Sequence, residues 1–264
     1  MSSFAADPLR LGRALKSQLR SGDLVAAAFL KVPSPDLVEI LGMTGIHCVV
    51  ADAEHGPADP EGCLTMVRAG DACGIPVLVR TAETDSLPRL TRYLDSGVSG
   101  VIVPRFSDPA DGAVRLAGLL HPPYGSRGLA AGRWARYGFG PSLPELVHSL
   151  PSSMSVIVQI EEIRAVHNLD ALLELSEPDV YFIGPTDLAC SMGLAGDKSH
   201  EKVRAAVQDV ISRIVAAGRT AGVLASSISD ACSYKEQGAR FLAFNAETLL
   251  TWGIASALSG LGVK

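Results

Sequence analysis

Residues 76–104, PVLVRTAETDSLPRLTRYLDSGVSGVIVP, contain one strand–helix–strand unit. Residues 76–79 form a short, continuous apolar run, which predicts a buried strand. Residues 86–95 have a helical pattern, and residues 100–103 are a second apolar run rich in β-branched side chains. Two buried strands joined by a helix are typical of a parallel sheet, because parallel strands need a long crossover connection. This stretch therefore predicts an α/β fold.

The same alternation of apolar run and helical pattern extends along the whole chain. The strand candidates are residues 24–30, 48–51, 76–79, 100–103, 155–160, 180–183, 222–224 and 241–244. The helical candidates include residues 35–43, 60–72, 86–95 and 109–120. Eight alternations in 264 residues favour a (β/α)8 TIM barrel that fills the chain as a single domain, residues 1–264. The alternative is an open doubly wound sheet, which usually has a glycine-rich turn after its first strand; residues 31–34 contain no glycine.

Composition excludes several classes of function. With 47% hydrophobic and 19% charged residues, the chain can form a sizeable core. A formal net charge of −5 and the absence of a basic run predict that nucleic acid is not a partner. No apolar stretch reaches the roughly 18 residues of a membrane span, so we expect no membrane partner. The first 20 residues have no apolar run long enough for a signal peptide, so none is expected. Five cysteines without a CxxC pair are typical of reduced, mostly buried thiols in a cytoplasmic protein.

Polar side chains follow several of the predicted strands, where the active site of a (β/α)8 barrel lies. They are Asp52, Glu54, His55, Arg80, Gln159, Glu161 and Asp187. Glu161 and Asp187 follow consecutive strands, so their carboxylates can converge on a divalent cation such as Mg²⁺, Mn²⁺ or Co²⁺. Taken singly, His55 could be an ordinary surface or core histidine, and Glu161 could cap the next helix. A base, a guanidinium and two acids on one predicted rim favour an enzyme.

Six motifs occur in an order that closely resembles the HpcH/HpaI aldolase family, the metal-dependent pyruvate aldolases. They are DAEHGP at 52–57, PVLVR at 76–80, YLDSGVSGVIVP at 93–104, HPPYGSRG at 121–128, VIVQIEE at 156–162 and FIGPTDLACSMG at 182–193. The resemblance covers nearly the whole chain, from about residue 10 to residue 260.

The resemblance implies a role for each matching residue. Glu161 and Asp187 match the acids that bind the metal. His55 matches the catalytic base, and Asp52 matches the acid that orients the imidazole ring. Arg80 matches the arginine that holds the keto and enolate oxygen of pyruvate.

Further positions match the pyruvate site of the family. Gln159 matches a glutamine that lines it, while Gly184, Pro185 and Thr186 match a turn whose backbone amides meet the pyruvate carboxylate. Asp95 matches a catalytic aspartate that, in relatives, reaches the site of a neighbouring subunit. The resemblance also implies a homo-oligomer, with a hexamer expected.

The implied reaction is the retro-aldol cleavage of a 4-hydroxy-2-oxo acid to pyruvate and an aldehyde, which makes the chain an aldehyde-lyase acting on a small oxo acid. One alternative is the same enolate chemistry on oxaloacetate, as a decarboxylation or a citrate-synthase-like condensation. Another is a barrel that serves as a non-catalytic scaffold. A Schiff-base mechanism would need a desolvated lysine in the barrel, and Lys31 ends the first predicted strand.

Two features suggest how the second substrate is recognised. Lys31 and Arg105 stand where relatives mostly have small or apolar residues, and their positive charge suits an additional carboxylate. Residues 121–154 lie between the fourth and fifth predicted strands and contain several glycines, prolines and arginines. This long loop is predicted to shape the acceptor side of the pocket, with Arg127, Arg133 and Arg136 meeting an acceptor carboxylate. The alternative is that these arginines pair with acids of the barrel or of a neighbouring subunit.

An apolar stripe near the carboxyl terminus also suggests an oligomer. Its residues recur at helical spacing: Leu249, Leu250, Trp252, Ile254 and Leu258. Such a stripe is more than one helix face needs for docking. The alternative is that the last helix buries the stripe within its own subunit.

Overall fold

The computed structural model of the chain describes residues 7–262. Eight parallel strands close into a barrel in chain order, with the first strand paired to the last. The strands are β1 (Val25–Leu30), β2 (Cys48–Asp52), β3 (Val77–Arg80), β4 (Gly100–Val103), β5 (Ser155–Ile160), β6 (Val180–Ile183), β7 (Ala221–Leu224) and β8 (Phe241–Asn245). Each strand agrees with its predicted range to within one residue at either end, so the predicted (β/α)8 barrel is confirmed.

Twelve α-helices lie within residues 7–262. They are α1 (Arg10–Ser21), α2 (Pro35–Gly42), α3 (Pro60–Cys73), α4 (Leu87–Asp95), α5 (Pro109–Ala117), α6 (Leu143–Ser149), α7 (Ile163–His167), α8 (Leu169–Leu173), α9 (Pro185–Ser191), α10 (Glu201–Ala216), α11 (Ile228–Glu236) and α12 (Ala246–Gly260). The helices that follow β1 to β4 begin in the same way. A serine or aspartate side chain at the N-cap accepts a backbone N–H, and a proline occupies the first turn.

The interior of the barrel is filled by side chains and is not a channel. Phe182 stacks against Phe29 with ring centroids 5.7 Å apart and meets Phe241 edge-on at 5.8 Å. Leu15 and Leu19 of α1 pack on this cluster and close the amino-terminal end of the barrel. Within residues 7–262, α1 therefore covers the amino-terminal end of the barrel, and the carboxyl-terminal end is the side open to ligands.

A buried ion pair holds α1 against the barrel. Lys16 Nζ lies 2.7 Å from Asp179 Oδ2 and donates a second hydrogen bond of 2.9 Å to the carbonyl of Met154. Burial lowers the pKa of Lys16, and the charge of Asp179 opposes this change. The side chains of Lys16 and Asp179 are only 5% and 7% exposed, so each charge is stabilised by the other and not by water.

We expect Asp179→Ala to lower the free energy of unfolding by about 3–5 kcal/mol, because it leaves the Lys16 charge buried without its partner. Denaturant unfolding measures the loss. Asp170→Ala is the matched control, since Asp170 is 86% exposed and pairs with Arg213 at the surface, where a pair contributes about 0–1 kcal/mol. Equal losses in the two variants would contradict the prediction.

Residues 121–154 lie at the amino-terminal end of the barrel, because α5 carries the chain back to that end before β5 begins. Arg133 pairs with Asp71 near the end of α3 and donates a hydrogen bond of 3.1 Å to the carbonyl of Ser96, just after α4. Asp71 and Ser96 both lie at the amino-terminal end of the barrel, opposite to the strand carboxyl termini. The prediction that this segment shapes the acceptor pocket of its own barrel is therefore wrong.

The same segment is also more regular than a loop. It contains α6, which the Ser142–Glu145 capping box starts, and two 3-10 turns at Arg133–Gly138 and Leu150–Ser152. The spacing of Ser142 and Glu145 in the sequence is typical of the start of a helix.

The five cysteines are free thiols in the structure. Cys48 and Cys63 are buried, whereas Cys190 and Cys232 are exposed, so the expectation of mostly buried thiols is only partly right. Within the described part of the chain, none of the helices has both the length and the apolar character needed to cross a membrane.

Candidate active site

Two adjoining cavities open at the carboxyl-terminal end of the barrel. The first, which we call the acidic cavity, has a volume of about 330 Å³ and is lined by Glu54, Arg105, Glu161 and Glu162, among others. The second, the central cavity, has a volume of about 210 Å³ and is lined by Lys31, Arg80, Gln159 and Thr186, among others. His55 and Asp187 line both cavities. The predicted residues of β2, β3, β5 and the start of α9 are thus brought together.

Arg80 is buried beneath the central cavity and held in a fixed orientation. Strands β2 and β3 pair with Asp52 directly opposite Arg80. The Asp52 carboxylate accepts hydrogen bonds from Arg80 Nε at 3.0 Å and Nη2 at 2.6 Å, and the guanidinium lies 5.1 Å from the ring centre of Phe29. Burial alone would lower the pKa of Arg80, but the hydrogen bonds and charge of Asp52 raise it overall. Arg80 is therefore a permanent, oriented cation.

Asp52 has contacts beyond the one that the resemblance implies. Besides Arg80, its Oδ1 accepts the backbone N–H groups of Glu54 at 3.2 Å and His55 at 3.1 Å. Burial alone would raise the pKa of Asp52, but the bonds and charge of Arg80 lower it overall. The carboxylate therefore orients Arg80 and the backbone of residues 54–55, and its role in orienting the imidazole ring stays a prediction.

The acid next to the imidazole is Glu54, to which sequence reasoning assigned no role. Glu54 Oε2 lies 3.9 Å from His55 Nε2 and 3.3 Å from Arg80 Nη1. Burial raises the pKa of Glu54, and the charge of Arg80 opposes this change. The His55 side chain is 51% exposed, so solvent and substrate can both reach it. The adjacency of Glu54 to His55 in the DAEHGP motif was the signal available in the sequence.

Glu161 is buried at the end of β5 with both carboxylate oxygens engaged. Oε1 accepts the backbone N–H of Arg105 at 2.8 Å, and Oε2 accepts Gln159 Nε2 at 2.5 Å. Burial and, to a lesser extent, the negative charges of Glu54 and Asp187 raise the pKa of Glu161 to about 7. The hydrogen bond from the Arg105 N–H opposes this change. Gly184 packs closely on this carboxylate, because a β-carbon there would lie 2.9 Å from Glu161 Oε2 and would displace it.

Glu161 and Asp187 line the same cavity, and their environment suits a cation. Together with Glu54 they concentrate negative charge in the acidic cavity, and the charges of Glu54 and Asp187 add to the effect of burial on the pKa of Glu161. Within residues 7–262 no three His, Cys, Asp or Glu side chains are placed to hold a metal ion. The two acids would thus leave further coordination positions to water and substrate oxygens, as hard divalent cations accept.

The turn formed by Gly184, Pro185 and Thr186 offers fewer free backbone N–H groups than predicted. The Gly184 N–H already donates to the carbonyl of Ile160 at 3.3 Å, and Pro185 has no N–H. Thr186 lies in the first turn of α9, where N–H groups have no partner within the helix. Gln159 adds an acceptor at this cavity, since its Oε1 is buried and has no hydrogen-bond partner.

Asp95 does not join this site within its own subunit. It ends α4 at the opposite end of the barrel, where it pairs with buried Arg127 at 2.5 Å. Arg127 also lies over the ring of Trp134, 5.5 Å from its centre. For Arg127, the alternative of pairing with an acid of the barrel is confirmed.

Fold and site together define a (β/α)8-barrel enzyme with a carboxylate-rich cavity beside a buried arginine. The comparisons with known proteins agree with this class, because residues 26–251 match the sequence profile of the HpcH/HpaI aldolase/citrate lyase family. The chain belongs to this family.

The relatives of the chain include a named aldolase. The 4-hydroxy-2-oxo-heptane-1,7-dioate aldolase of Salmonella typhimurium is 32% identical over 257 residues, which cover 95% of each chain. A solved HpcH/HpaI aldolase/citrate lyase family protein from Burkholderia cenocepacia has a TM-score of 0.87 at 28% identity and covers 94% of this chain and 99% of its own. The HpcH/HpaI aldolase from Desulfitobacterium hafniense has a TM-score of 0.83 at 26% identity, with coverage of 94% and 96%. The predicted family and aldolase class are confirmed.

Proposed function

We propose that the protein cleaves a 4-hydroxy-2-oxo acid to pyruvate and an aldehyde, with a divalent cation bound by Glu161 and Asp187. One observation carries this proposal: a buried, oriented guanidinium, a solvent-accessible imidazole and the carboxylates that follow β5 and β6 line one pair of cavities. That set supplies a base, a fixed positive charge and a cation site, which are the groups needed to form an enolate.

His55 acts as the base. Its imidazole removes the proton of the substrate C4 hydroxyl, directly or through a water molecule. The C3–C4 bond then breaks, the C4 carbon leaves as the aldehyde, and the bonding electrons form the enolate of pyruvate. The proton returns to C3 and completes pyruvate.

Arg80 stabilises the oxygen on which negative charge develops. Because Asp52 and Glu54 hold the guanidinium in place, little reorganisation is needed as the enolate forms. The Thr186 N–H donates to the carboxylate at the pyruvate end of the substrate, and Gln159 lines the same part of the cavity. A bound divalent cation would supply a second positive charge for the enolate oxygen, and Mg²⁺, Mn²⁺ and Co²⁺ suit the two acids.

The direct test is pyruvate release from 4-hydroxy-2-oxo acids by the purified protein. We expect activity to disappear after chelation and to return when Mg²⁺, Mn²⁺ or Co²⁺ is added. A parallel assay with oxaloacetate measures decarboxylation, the alternative use of the same enolate. Full aldol cleavage by metal-free protein would contradict the proposed metal role, and activity on oxaloacetate alone would replace the aldolase proposal.

We further propose that the protein forms a homo-oligomer, with a hexamer expected. None of the residues of α12 is buried, and Leu250, Ile254 and Leu258 are 60%, 52% and 42% exposed. These residues recur every four positions, so they lie on one face of the helix. A helix with such a face is ordinarily covered, and the described part of the subunit does not cover it.

Light scattering at micromolar concentration tests this expectation. We expect the mass of several chains, and Ile254→Glu should lower it by placing a charge on the apolar face. Glu201→Gln, an exposed position of α10, provides a control. A wild-type mass of 27.6 kDa, that of one chain, would contradict the proposal.

The proposed location is the cytoplasm. Five unpaired thiols, two of them exposed, suit a reducing compartment, where disulfides rarely form.

A further inference from the structure

The two cavities of the site differ in charge. The acidic cavity has four carboxylates, those of Glu54, Glu161, Glu162 and Asp187, against the single guanidinium of Arg105. The central cavity has two cations, Lys31 and Arg80, against one carboxylate. A cation is therefore favoured on the acidic side and an anionic substrate on the central side.

Lys31 is the cation of the central cavity that is not already paired. Arg80 is committed to Asp52 and Glu54 at 2.6 and 3.3 Å. Within residues 7–262, the Lys31 ammonium has neither an ion pair nor a hydrogen bond to another side chain or to the backbone, although it lines the cavity. An incoming carboxylate can bind it without displacing an existing partner.

The backbone below Lys31 is held firmly. Glu247 Oε1, at the start of α12, accepts the N–H groups of Lys31 at 2.9 Å and Val32 at 3.2 Å. The Lys31 carbonyl packs so closely on Gly56 that a β-carbon at position 56 would lie 2.5 Å from it. The backbone of Lys31 is thus held in place beside the turn that carries His55.

The other cations predicted to recognise a second carboxylate are engaged elsewhere. Arg105 lies between Glu83 and Glu162, at 3.2 and 3.1 Å, on the acidic side. Arg127 and Arg133 pair with Asp95 and Asp71 at the other end of the barrel. Lys31 is therefore the basic residue best placed to contact an acceptor group.

We propose that Lys31 binds a second carboxylate of the substrate, at the end remote from the pyruvate unit, and so selects 4-hydroxy-2-oxo dicarboxylates over monocarboxylates. This inference rests on the proposed aldolase function. Arg80 and Thr186 hold the pyruvate end in the central cavity, and Lys31 lies at the exposed rim of this cavity. A charge-assisted hydrogen bond between the ammonium and the remote carboxylate favours the dicarboxylate.

The test compares Lys31→Met with wild type on 4-hydroxy-2-oxoheptanedioate and on 4-hydroxy-2-oxopentanoate, which lacks the remote carboxylate. We expect kcat/KM for the dicarboxylate to fall about tenfold or more, mainly through KM, and the value for the monocarboxylate to fall much less. Lys31→Arg should retain most of the preference. Lys202→Met is the matched control, because it removes one exposed lysine from α10.

Two further measurements separate this inference from the function on which it rests. Deuterium exchange of the pyruvate methyl group should be the same in Lys31→Met and wild type, since Lys31 does not contact the pyruvate end. Calorimetric binding of the unreactive 2-oxoheptanedioate should weaken about tenfold in Lys31→Met, whereas binding of 2-oxobutanoate should not change. Equal losses for the two substrates, or no loss for the dicarboxylate ligands, would overturn the role of Lys31. A wild-type protein that neither cleaves the substrates nor exchanges pyruvate protons would overturn the aldolase proposal, and the binding comparison would still decide the role of Lys31.

Discussion

Glu161→Gln is expected to reduce metal-dependent pyruvate release by about a thousandfold, because a divalent cation contributes several kcal/mol to enolate formation. The substitution keeps the size and shape of the side chain. Its amide oxygen can still accept the Arg105 N–H, which donates to Oε1 at 2.8 Å in the native protein. What is lost is the negative charge that the cation requires, together with the oxygen that accepts Gln159 Nε2.

The experiment for Glu161 combines turnover with calorimetric titration of Mn²⁺. Both turnover and Mn²⁺ affinity should fall in Glu161→Gln and in Asp187→Asn. Glu174→Gln, at an exposed position beyond α8, should change neither. If Glu161→Gln binds Mn²⁺ and releases pyruvate as wild type does, the carboxylate is not a metal ligand.

Arg80→Met should slow turnover by about a hundredfold to a thousandfold, the usual effect of removing one preorganised group that stabilises an oxyanion. His55→Ala should cost about a hundredfold or more through loss of the base. Both variants should also slow deuterium exchange of the pyruvate methyl group, since that exchange requires the same enolate. His167→Ala, at an exposed position at the end of α7, is the control for the histidine.

The Arg80 variant needs a second measurement, because loss of the guanidinium also leaves the Asp52 carboxylate buried without a counter-charge. Asp52 is 0% exposed, so Arg80→Met should lower stability as well as activity. Adding Asp52→Asn to Arg80→Met should restore part of the stability and none of the turnover. If pyruvate exchange is unchanged in Arg80→Met and in His55→Ala, the two residues do not act on the enolate.

The strands and their polar ends were predictable because each depends on a short segment. A buried parallel strand must be apolar along its whole length, so β1 to β8 are visible as apolar runs within one residue of their true ends. In a barrel every strand carboxyl terminus faces the same end. Glu161 and Asp187 could therefore be expected to converge before any distance was known.

The partner of Asp52 depends on the pairing of two strands and is not visible in one segment. Only the β2–β3 register, which places Asp52 opposite Arg80, decides that the carboxylate binds the guanidinium and leaves Glu54 next to His55. The position of residues 121–154 differs from the prediction for a related reason. Their composition suited a binding loop, but the direction of α5 carries them to the other end of the barrel.

By itself, the sequence determined the barrel, the order of its strands and the residue types at its catalytic end, because these follow from local hydrophobic patterns and a single topological rule. Tertiary structure alone decided which charges are paired. Arg80, Arg105 and Arg127 each meet an acid that is distant in sequence, while Lys31 does not within the described residues. The physical reason is that an ion pair requires atoms within a few ångströms, and that proximity is set by strand register and by the end of the barrel to which each helix returns the chain.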